Sequence, residues 1–314
     1  MIRFAIAVSC GFILCLSACT NNPRTLVSYV PASSYAVLAV KWHSVEKDPE
    51  LKRIAKGAEI EKIFADLGVS SQEVSEFAVF GDLQNLASGS TGLIAKGTFN
   101  TKDLVNSLKK RGWAEEDLEG KRVYVNPSDS SYLTTFDAKM FMLGTQSGVK
   151  AVIAARAKPE LRFTSNPAYK RLSARFEGKQ YPILMIAAFP QATQDMASAA
   201  LQLSSTVMDL VGVGPLGELL NQIGYAKGLS CGISRTNDAF PIHVSAVMKD
   251  EDAAEFVAGT LNILKNVAAL ARRNNSQRDV EAAKVLKTIS IERSRDVISI
   301  RMTMPAPALR EFNR

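Results

Sequence analysis

The stretch Tyr35-Ala36-Val37-Leu38-Ala39-Val40 is a short, uncharged run that contains strand-forming valines. A run of this length and composition predicts a buried β-strand. It follows a proline turn at residues 30–34, and a second run of the same character begins at Tyr181 and ends at Phe189. The two runs therefore mark the first strands of two successive halves of the chain.

Helices are predicted where a capping residue precedes apolar residues at helical spacing. The capping positions are Asp48 before Pro49, Asn100, Asn166 before Pro167, and Asp250. In the long helix after Asp250, the apolar stripe is expected to comprise Phe256, Val257, Leu261, Leu264 and Val267. These signals place helices between the predicted strands of both halves.

Both halves show the same order of elements: strand, helix, strand, strand, helix, then further strands and a short helix. This is the order of a ferredoxin-like split βαβ unit. The sequence therefore predicts an α+β protein with two tandem ferredoxin-like halves, antiparallel sheets and helices on one face. The halves are expected at residues 31–158 and 181–314, joined by a connector helix within 159–180. Edge-to-edge and face-to-face packing of the two sheets both remain open.

Composition describes a folded globular chain with a basic surface. The 314 residues are 46% hydrophobic and 22% charged, with a net charge of +7, which is typical of a protein that buries a sizeable core. No basic stripe with interleaved aromatic residues is present, so nucleic acid is not expected as a partner. The positive charge instead favours anionic lipid headgroups.

The N terminus carries the pattern of an export signal. Arg3 is the only charge before the apolar run 4–14, and the small residues Ser17 and Ala18 follow. The run is shorter than the roughly 20 apolar residues that a transmembrane helix needs. An ordinary secretory signal cut near Ala18 and an uncleaved anchor are the alternatives.

The tetrad Leu16-Ser17-Ala18-Cys19 resembles the lipobox of bacterial lipoproteins. The resemblance implies removal of residues 1–18 as a signal peptide, cleavage between Ala18 and Cys19, and attachment of palmitate or a similar acyl chain to Cys19. Residues 19–30 then form a tether to the membrane. Thr20 stands where lipoproteins kept at the inner membrane often carry aspartate, which implies the periplasmic side of the outer membrane.

The body also resembles a group of uncharacterised envelope lipoproteins with a repeated α+β architecture. The shared features are the proline turn at 30–34, the apolar strand 35–40 and a following helix that ends in glycine. Lys41-Trp42-His43 stand where those proteins often carry aspartate. The resemblance implies architecture and no catalytic residue.

Catalytic and metal-binding signatures are absent from the sequence. His43 and His243 occupy different places in the two halves, and neither has a further ligand at zinc spacing. The glycine-rich stretch 212–217 follows a predicted helix and contains Pro215, which favours a helix break over a dinucleotide loop. The acidic cluster 115–117 is expected to be a solvated turn. No cofactor, metal site or catalytic residue is therefore predicted.

Cysteine usage leaves one free thiol. Cys10 and Cys15 leave with the signal peptide and Cys19 is acylated, so Cys231 alone remains. No intramolecular disulfide can form in the mature chain, and stability must come from packing. Cys231 lies in a predicted strand and is expected to act as a buried small hydrophobe.

These features favour a lipid-anchored envelope protein with a non-catalytic binding or structural role. The alternative is a carrier or sensor of an apolar ligand, because the segment 193–223 is unusually poor in charge. Its groove would be lined by Met196, Leu203, Val207 and Leu210. A third hypothesis is a hydrolase whose site the sequence does not reveal.

Overall fold

The computed structural model describes residues 24–55, 57–81, 90–176, 181–189, 226–271 and 284–306. Its strands are β1 (Ala36–Val40), β2 (Val74–Gly81), β3 (Gly92–Gly97), β4 (Ala114–Leu118), β5 (Lys121–Val125), β6 (Tyr132–Asp137), β7 (Met140–Gly144), β8 (Ile183–Ala188), β9 (Gly228–Ile233), β10 (Ala239–Val247), β11 (Ser290–Ser294) and β12 (Val297–Pro305). Its helices are α1 (Arg24–Val27), α2 (Trp42–Glu46), α3 (Pro49–Ile54), α4 (Gly57–Leu67), α5 (Thr101–Lys110), α6 (Gln146–Ala157), α7 (Pro167–Ala174) and α8 (Glu251–Ala271). Short 3₁₀ turns occupy Ser71–Glu73, Pro159–Leu161 and Phe163–Ser165.

The strands form one 12-stranded sheet in the order β11-β12-β10-β9-β8-β1-β2-β3-β7-β6-β5-β4. Every neighbouring pair is antiparallel. The first strands of the two halves, β1 and β8, pair with each other, and Leu38 lies opposite Met185. The predicted α+β class with antiparallel pairing is confirmed, and the two halves join edge to edge.

The ferredoxin-like arrangement is not confirmed. In a split βαβ unit, the two strands that a helix connects flank a third strand. Here α2, α3 and α4 connect β1 to β2, and these strands are direct neighbours. The two halves nevertheless share one strand order, because β1-β2-β3-β7-β6 in the first corresponds to β8-β9-β10-β12-β11 in the second.

Helices cover both faces of the sheet, so the prediction of helices on one face was wrong. Side chains alternate along β1: Val37 and Ala39 point to one face, which we call the first face, and Leu38 and Val40 to the opposite, second face. The first face carries α1, α6 and α7, whereas the second carries α2, α3, α4 and α5, and α8 over β10 and β12. Central strands that are apolar on both sides require cover on both sides.

Local capping signals agree with the structure. The side chains of Asp48, Asn100 and Asn166 each accept a hydrogen bond from a backbone N–H in the first turn of α3, α5 and α7. Asp250 does the same for α8, accepting from the Ala253 N–H. The helix starts predicted at these residues are therefore confirmed.

The predicted stripe of α8 is only partly correct. Val257 is buried and Leu261 and Leu264 pack against the core, but Phe256 is 39% and Val267 54% exposed. With 3.6 residues per turn, these two side chains lie about 100° around the helix from Val257. They share this separate, solvent-facing stripe with Ile263.

Replacing Phe77 by alanine is expected to destabilise the protein by about 3–5 kcal/mol, because the ring is fully buried. Phe77 is 1% exposed and contacts the rings of Trp42 and Phe64. Ile263→Ala is the matched control, since Ile263 is 64% exposed and should change stability by less than about 0.5 kcal/mol. Urea denaturation followed by circular dichroism measures both; equal effects would contradict the assigned core.

Candidate functional site

The residues predicted for acylation and for the apolar groove lie outside the described residues. They are Ala18, Cys19, Met196, Leu203, Val207 and Leu210. No helix among the described residues combines the length and apolar character needed to cross a membrane. Within the same ranges, no group of three or more histidine, cysteine, aspartate or glutamate side chains is placed to hold a metal ion.

An apolar pocket of about 590 Å³ lies on the second face, where β1 and β3 begin and β2 and β7 end. Its wall is a row of five side chains, one from each neighbouring strand: Met185, Leu38, Val79, Leu93 and Leu143. The strand register creates this row, because each of these residues lies directly opposite the next. A pocket of this volume and apolar lining suits an apolar or amphipathic small molecule.

Among the described residues, the helices of the second face cover the other end of the same strands and leave the pocket open. Trp42, Phe64 and Leu108 from α2, α4 and α5 pack around Phe77 and Phe141, all with 1% exposure or less. At the pocket, by contrast, Met185 remains 44% exposed. Leu38, Val79 and Leu143 are half-buried, and Leu93 is 6% exposed. The described helices thus leave this apolar sheet surface partly accessible.

Polar groups line the rim of the apolar pocket. Thr91, Thr145 and the β5–β6 turn at residues 129–131 surround it. The Thr145 hydroxyl accepts hydrogen bonds from the Gly148 and Thr91 N–H groups. A ligand with an apolar body and a polar end would match this distribution of side chains.

A second, polar cavity of about 750 Å³ lies between α5 and the strands β4, β5 and β6. Two of its lining cations pair with Glu115, whose carboxylate oxygens lie 2.6 Å from Lys109 Nζ and 2.7 Å from Arg122 Nε. The hydrogen bond from Lys109, together with the charge of Arg122, lowers the pKa of the Glu115 carboxyl. Residues 115–117 were predicted as a solvated turn, but they form β4, the edge strand of the sheet.

A buried polar network surrounds His243 on β10. The Tyr181 hydroxyl lies 3.1 Å from His243 Nδ1, and Ser245 Oγ lies 3.3 Å from His243 Nε2 and 3.1 Å from Ser299 Oγ. Burial raises the pKa of the Tyr181 phenol. A hydroxyl beside an imidazole can form a nucleophile–base pair. Here, however, Ser245 is 1% and His243 3% exposed, so a substrate would reach the pair only after surrounding side chains moved.

Cys231 lies half-buried on β9, opposite Met185 on one side and Val244 on the other. It faces the same side of the sheet as the apolar row. Burial raises the pKa of the Cys231 thiol above its ordinary value. The group is therefore a protonated, weakly nucleophilic thiol at neutral pH.

No family model matches the chain, and no curated protein matches it. Three crystal forms of a protein named TP0453 have similar structures. Crystal form III has 11% identity and a TM-score of 0.46, covering 91% of this chain and 96% of that chain. Crystal form IV has 13% identity and a TM-score of 0.46, covering 91% and 95%. Crystal form I has 10% identity and a TM-score of 0.44, covering 91% and 94%.

Alkylation of Cys231 by iodoacetamide at pH 8 is expected to be slower than that of a free cysteine peptide, because its pKa is raised. A raised folded-state pKa also stabilises the protein below the ordinary thiol pKa. This contribution disappears as pH rises through the folded value. The stability lost above about pH 9 should therefore be smaller in Cys231→Ala than in the parent. Urea denaturation measures the stability of both proteins. Equal losses of stability in the parent and in Cys231→Ala, or alkylation as fast as in the peptide, would contradict the buried environment of the thiol.

Proposed function

We propose that this chain is a lipid-anchored protein of the bacterial cell envelope with a binding or structural role and no catalysis of its own. The observation that carries the proposal is the tetrad Leu16-Ser17-Ala18-Cys19 behind a short apolar run. Acyl chains on Cys19 would hold the protein at the membrane. The outer membrane, on its periplasmic side, is the proposed location.

The position of the folded body is compatible with such an anchor. The first helix, α1, begins at Arg24, five residues after Cys19. Leu26, Val27 and Val30 are each 2% exposed or less in the first-face core, so the fold starts almost immediately after the acylation site. A mature protein of this design would be held close to the bilayer surface.

A second candidate function, the binding of an apolar ligand, is favoured by the pocket on the second face. Its volume of about 590 Å³, above the row of Met185, Leu38, Val79, Leu93 and Leu143, falls within the range of small-molecule sites. The polar rim would face the ligand's head group. The ligand site proposed here therefore lies on the sheet, whereas the sequence had suggested the segment 193–223.

We also infer that residues 31–158 and 181–314 are two copies of one ancestral α+β unit, with 159–180 as the connection between them. The shared strand order supports duplication. The antiparallel β1–β8 pair supports it as well, because it joins equivalent strands in opposite directions. Two related units joined through their first strands would give a sheet with an approximate two-fold axis between Leu38 and Met185.

Cells fed radiolabelled palmitate are expected to label the parent protein and the Cys231→Ser variant, but not Cys19→Ser. The thiol of Cys19 is the proposed acceptor, and Cys231→Ser is the matched control for loss of a thiol. Mass spectrometry of the mature N terminus should find an acylated cysteine as the first residue. Label retained in Cys19→Ser, or an unmodified N terminus, would contradict the anchor.

Binding of a fluorescent fatty acid is expected to weaken at least tenfold in Met185→Glu, because the carboxylate would lie in the apolar wall. Ile263→Glu is the matched control, since it places the same charge on an exposed apolar residue away from the pocket. Fluorescence titration gives the dissociation constants. No saturable binding by the parent protein, or equal weakening in the control, would reject this ligand class.

A further inference from the structure

The positive charge of the chain is concentrated in one segment. Residues 146–176 contain seven lysine and arginine residues and one acidic residue, Glu160, a net charge of +6. The whole chain has a net charge of +7. The rest of the sequence has a net charge of only +1, so this segment carries most of the excess positive charge of the chain.

The segment folds as α6, two 3₁₀ turns and α7, all on the first face. Val149, Val152 and Leu172 anchor it in the core with no measurable exposure. Its three lysines and Arg171 are exposed, whereas the other three arginines are half-buried. We call the surface that these seven cations form the cationic face. Its members are Lys150, Arg156, Lys158, Arg162, Lys170, Arg171 and Arg175.

Most of this charge is not neutralised by the described part of the protein. Arg171 forms an ion pair with Asp296. Lys150, Lys158 and Lys170 are exposed, and no described carboxylate lies within ion-pair distance of them. These three lysines are therefore available to an external anionic partner.

The cationic face lies beside the point where the chain enters the fold. The Phe163 N–H donates to the Val30 carbonyl at 2.8 Å, and the Ala32 N–H donates to the Leu161 carbonyl at 2.7 Å. The Arg156 guanidinium carbon lies 5.2 Å from the ring centre of Tyr29. These contacts tie α6 and the following turns directly to the segment after α1.

Tether length then decides which surface faces the membrane. Four residues lie between Cys19 and Arg24, and the five residue steps from one to the other span at most about 18 Å when the chain is fully extended. A helix that packs on the first face must start within this distance of the acylated cysteine. The first face is thus the nearer face, and headgroup charges act within a Debye length of roughly 8–10 Å.

We propose that the cationic face docks on the anionic headgroups of the bilayer that holds the anchor, with Lys150, Lys158 and Lys170 as the principal contacts. The inference rests on the proposed acylation of Cys19. Leu161, 41% exposed between Lys158 and Arg162, lies at the level of the headgroups in this orientation. The pocket on the second face is then directed away from the membrane.

A lipid surface fits this face better than a soluble polyanion does. The positive charge is spread over two helices and the turns between them, and the proposed tether holds this part of the fold close to the bilayer. Each well-placed lysine contributes about fivefold to binding of an anionic membrane. Three such lysines together raise the affinity for an anionic membrane about a hundredfold.

The test uses the mature chain carrying Cys19→Ser, so that binding does not depend on the acyl chain. Vesicles of phosphatidylcholine alone are compared with vesicles containing 30% phosphatidylglycerol, by co-sedimentation at increasing salt. Binding is expected only to the anionic vesicles and should weaken as salt rises. The triple variant K150E/K158E/K170E should lose at least a hundredfold in affinity.

The matched control is the triple variant K62E/K102E/K110E, which reverses three exposed lysines on α4 and α5 of the second face. It changes net charge equally and should leave vesicle binding within about threefold of the parent. Equal losses in the two triple variants, or salt-insensitive binding, would overturn the proposal. Tighter binding to DNA, a soluble polyanion, than to the anionic vesicles would also overturn it.

A second measurement separates this proposal from the anchor itself. Single cysteines at Lys150→Cys and Lys102→Cys, in a Cys231→Ala background, are labelled with a fluorophore in the acylated protein reconstituted in anionic vesicles. Headgroup-attached quenchers should quench the first label several-fold more than the second. Equal quenching would reject the orientation while leaving acylation intact, whereas missing palmitate would reject the anchor alone.

Discussion

The pairing of β1 with β8 is the interaction on which the architecture depends. Five residue pairs, from Ala36 opposite Ala187 to Val40 opposite Ile183, join the two halves into one sheet. Without this ladder, each half would expose the backbone donors and acceptors of its first strand, and such exposed edge strands promote aggregation. Pairing satisfies those groups and places the two most apolar strands at the centre, where both faces need cover. The distribution of the helices follows from this requirement.

Much of the fold was predictable because its signals are local. The apolar runs that became β1 and β8, and the caps at Asp48, Asn100 and Asn166, are each readable within a few residues. Three features were missed for physical reasons. Element order does not say which strands become neighbours, β4 is an edge strand whose charged residues resemble a turn, and cover on both faces depends on pairing between distant strands.

The apolar pocket could not be predicted from the sequence either. Its wall takes one side chain from each of five strands, and Leu38 and Met185 are far apart in sequence. None of these residues belongs to a recognisable motif, because alternating leucine and valine are also the commonest residues of an ordinary sheet core. The register aligns them, and among the described residues the placement of α2, α4 and α5 at the other end leaves most of the row partly exposed. A binding site of this kind is therefore a property of the assembled sheet.

The arginines and lysines of the first face differ in the contacts that they make. Its arginines make directed contacts: Arg162 donates to the carbonyls of Ala155 and Arg156, and the Arg156 guanidinium lies over the ring of Phe136. A planar guanidinium suits such roles, whereas the ammonium group of lysine acts as a compact and mobile charge. Arg156 and Arg162 thus fix α6 and its neighbouring turns against the start of the fold, whereas Lys150, Lys158 and Lys170 are exposed. Because the packing contacts come from these two arginines, reversing the three lysines tests the proposed docking without removing those contacts.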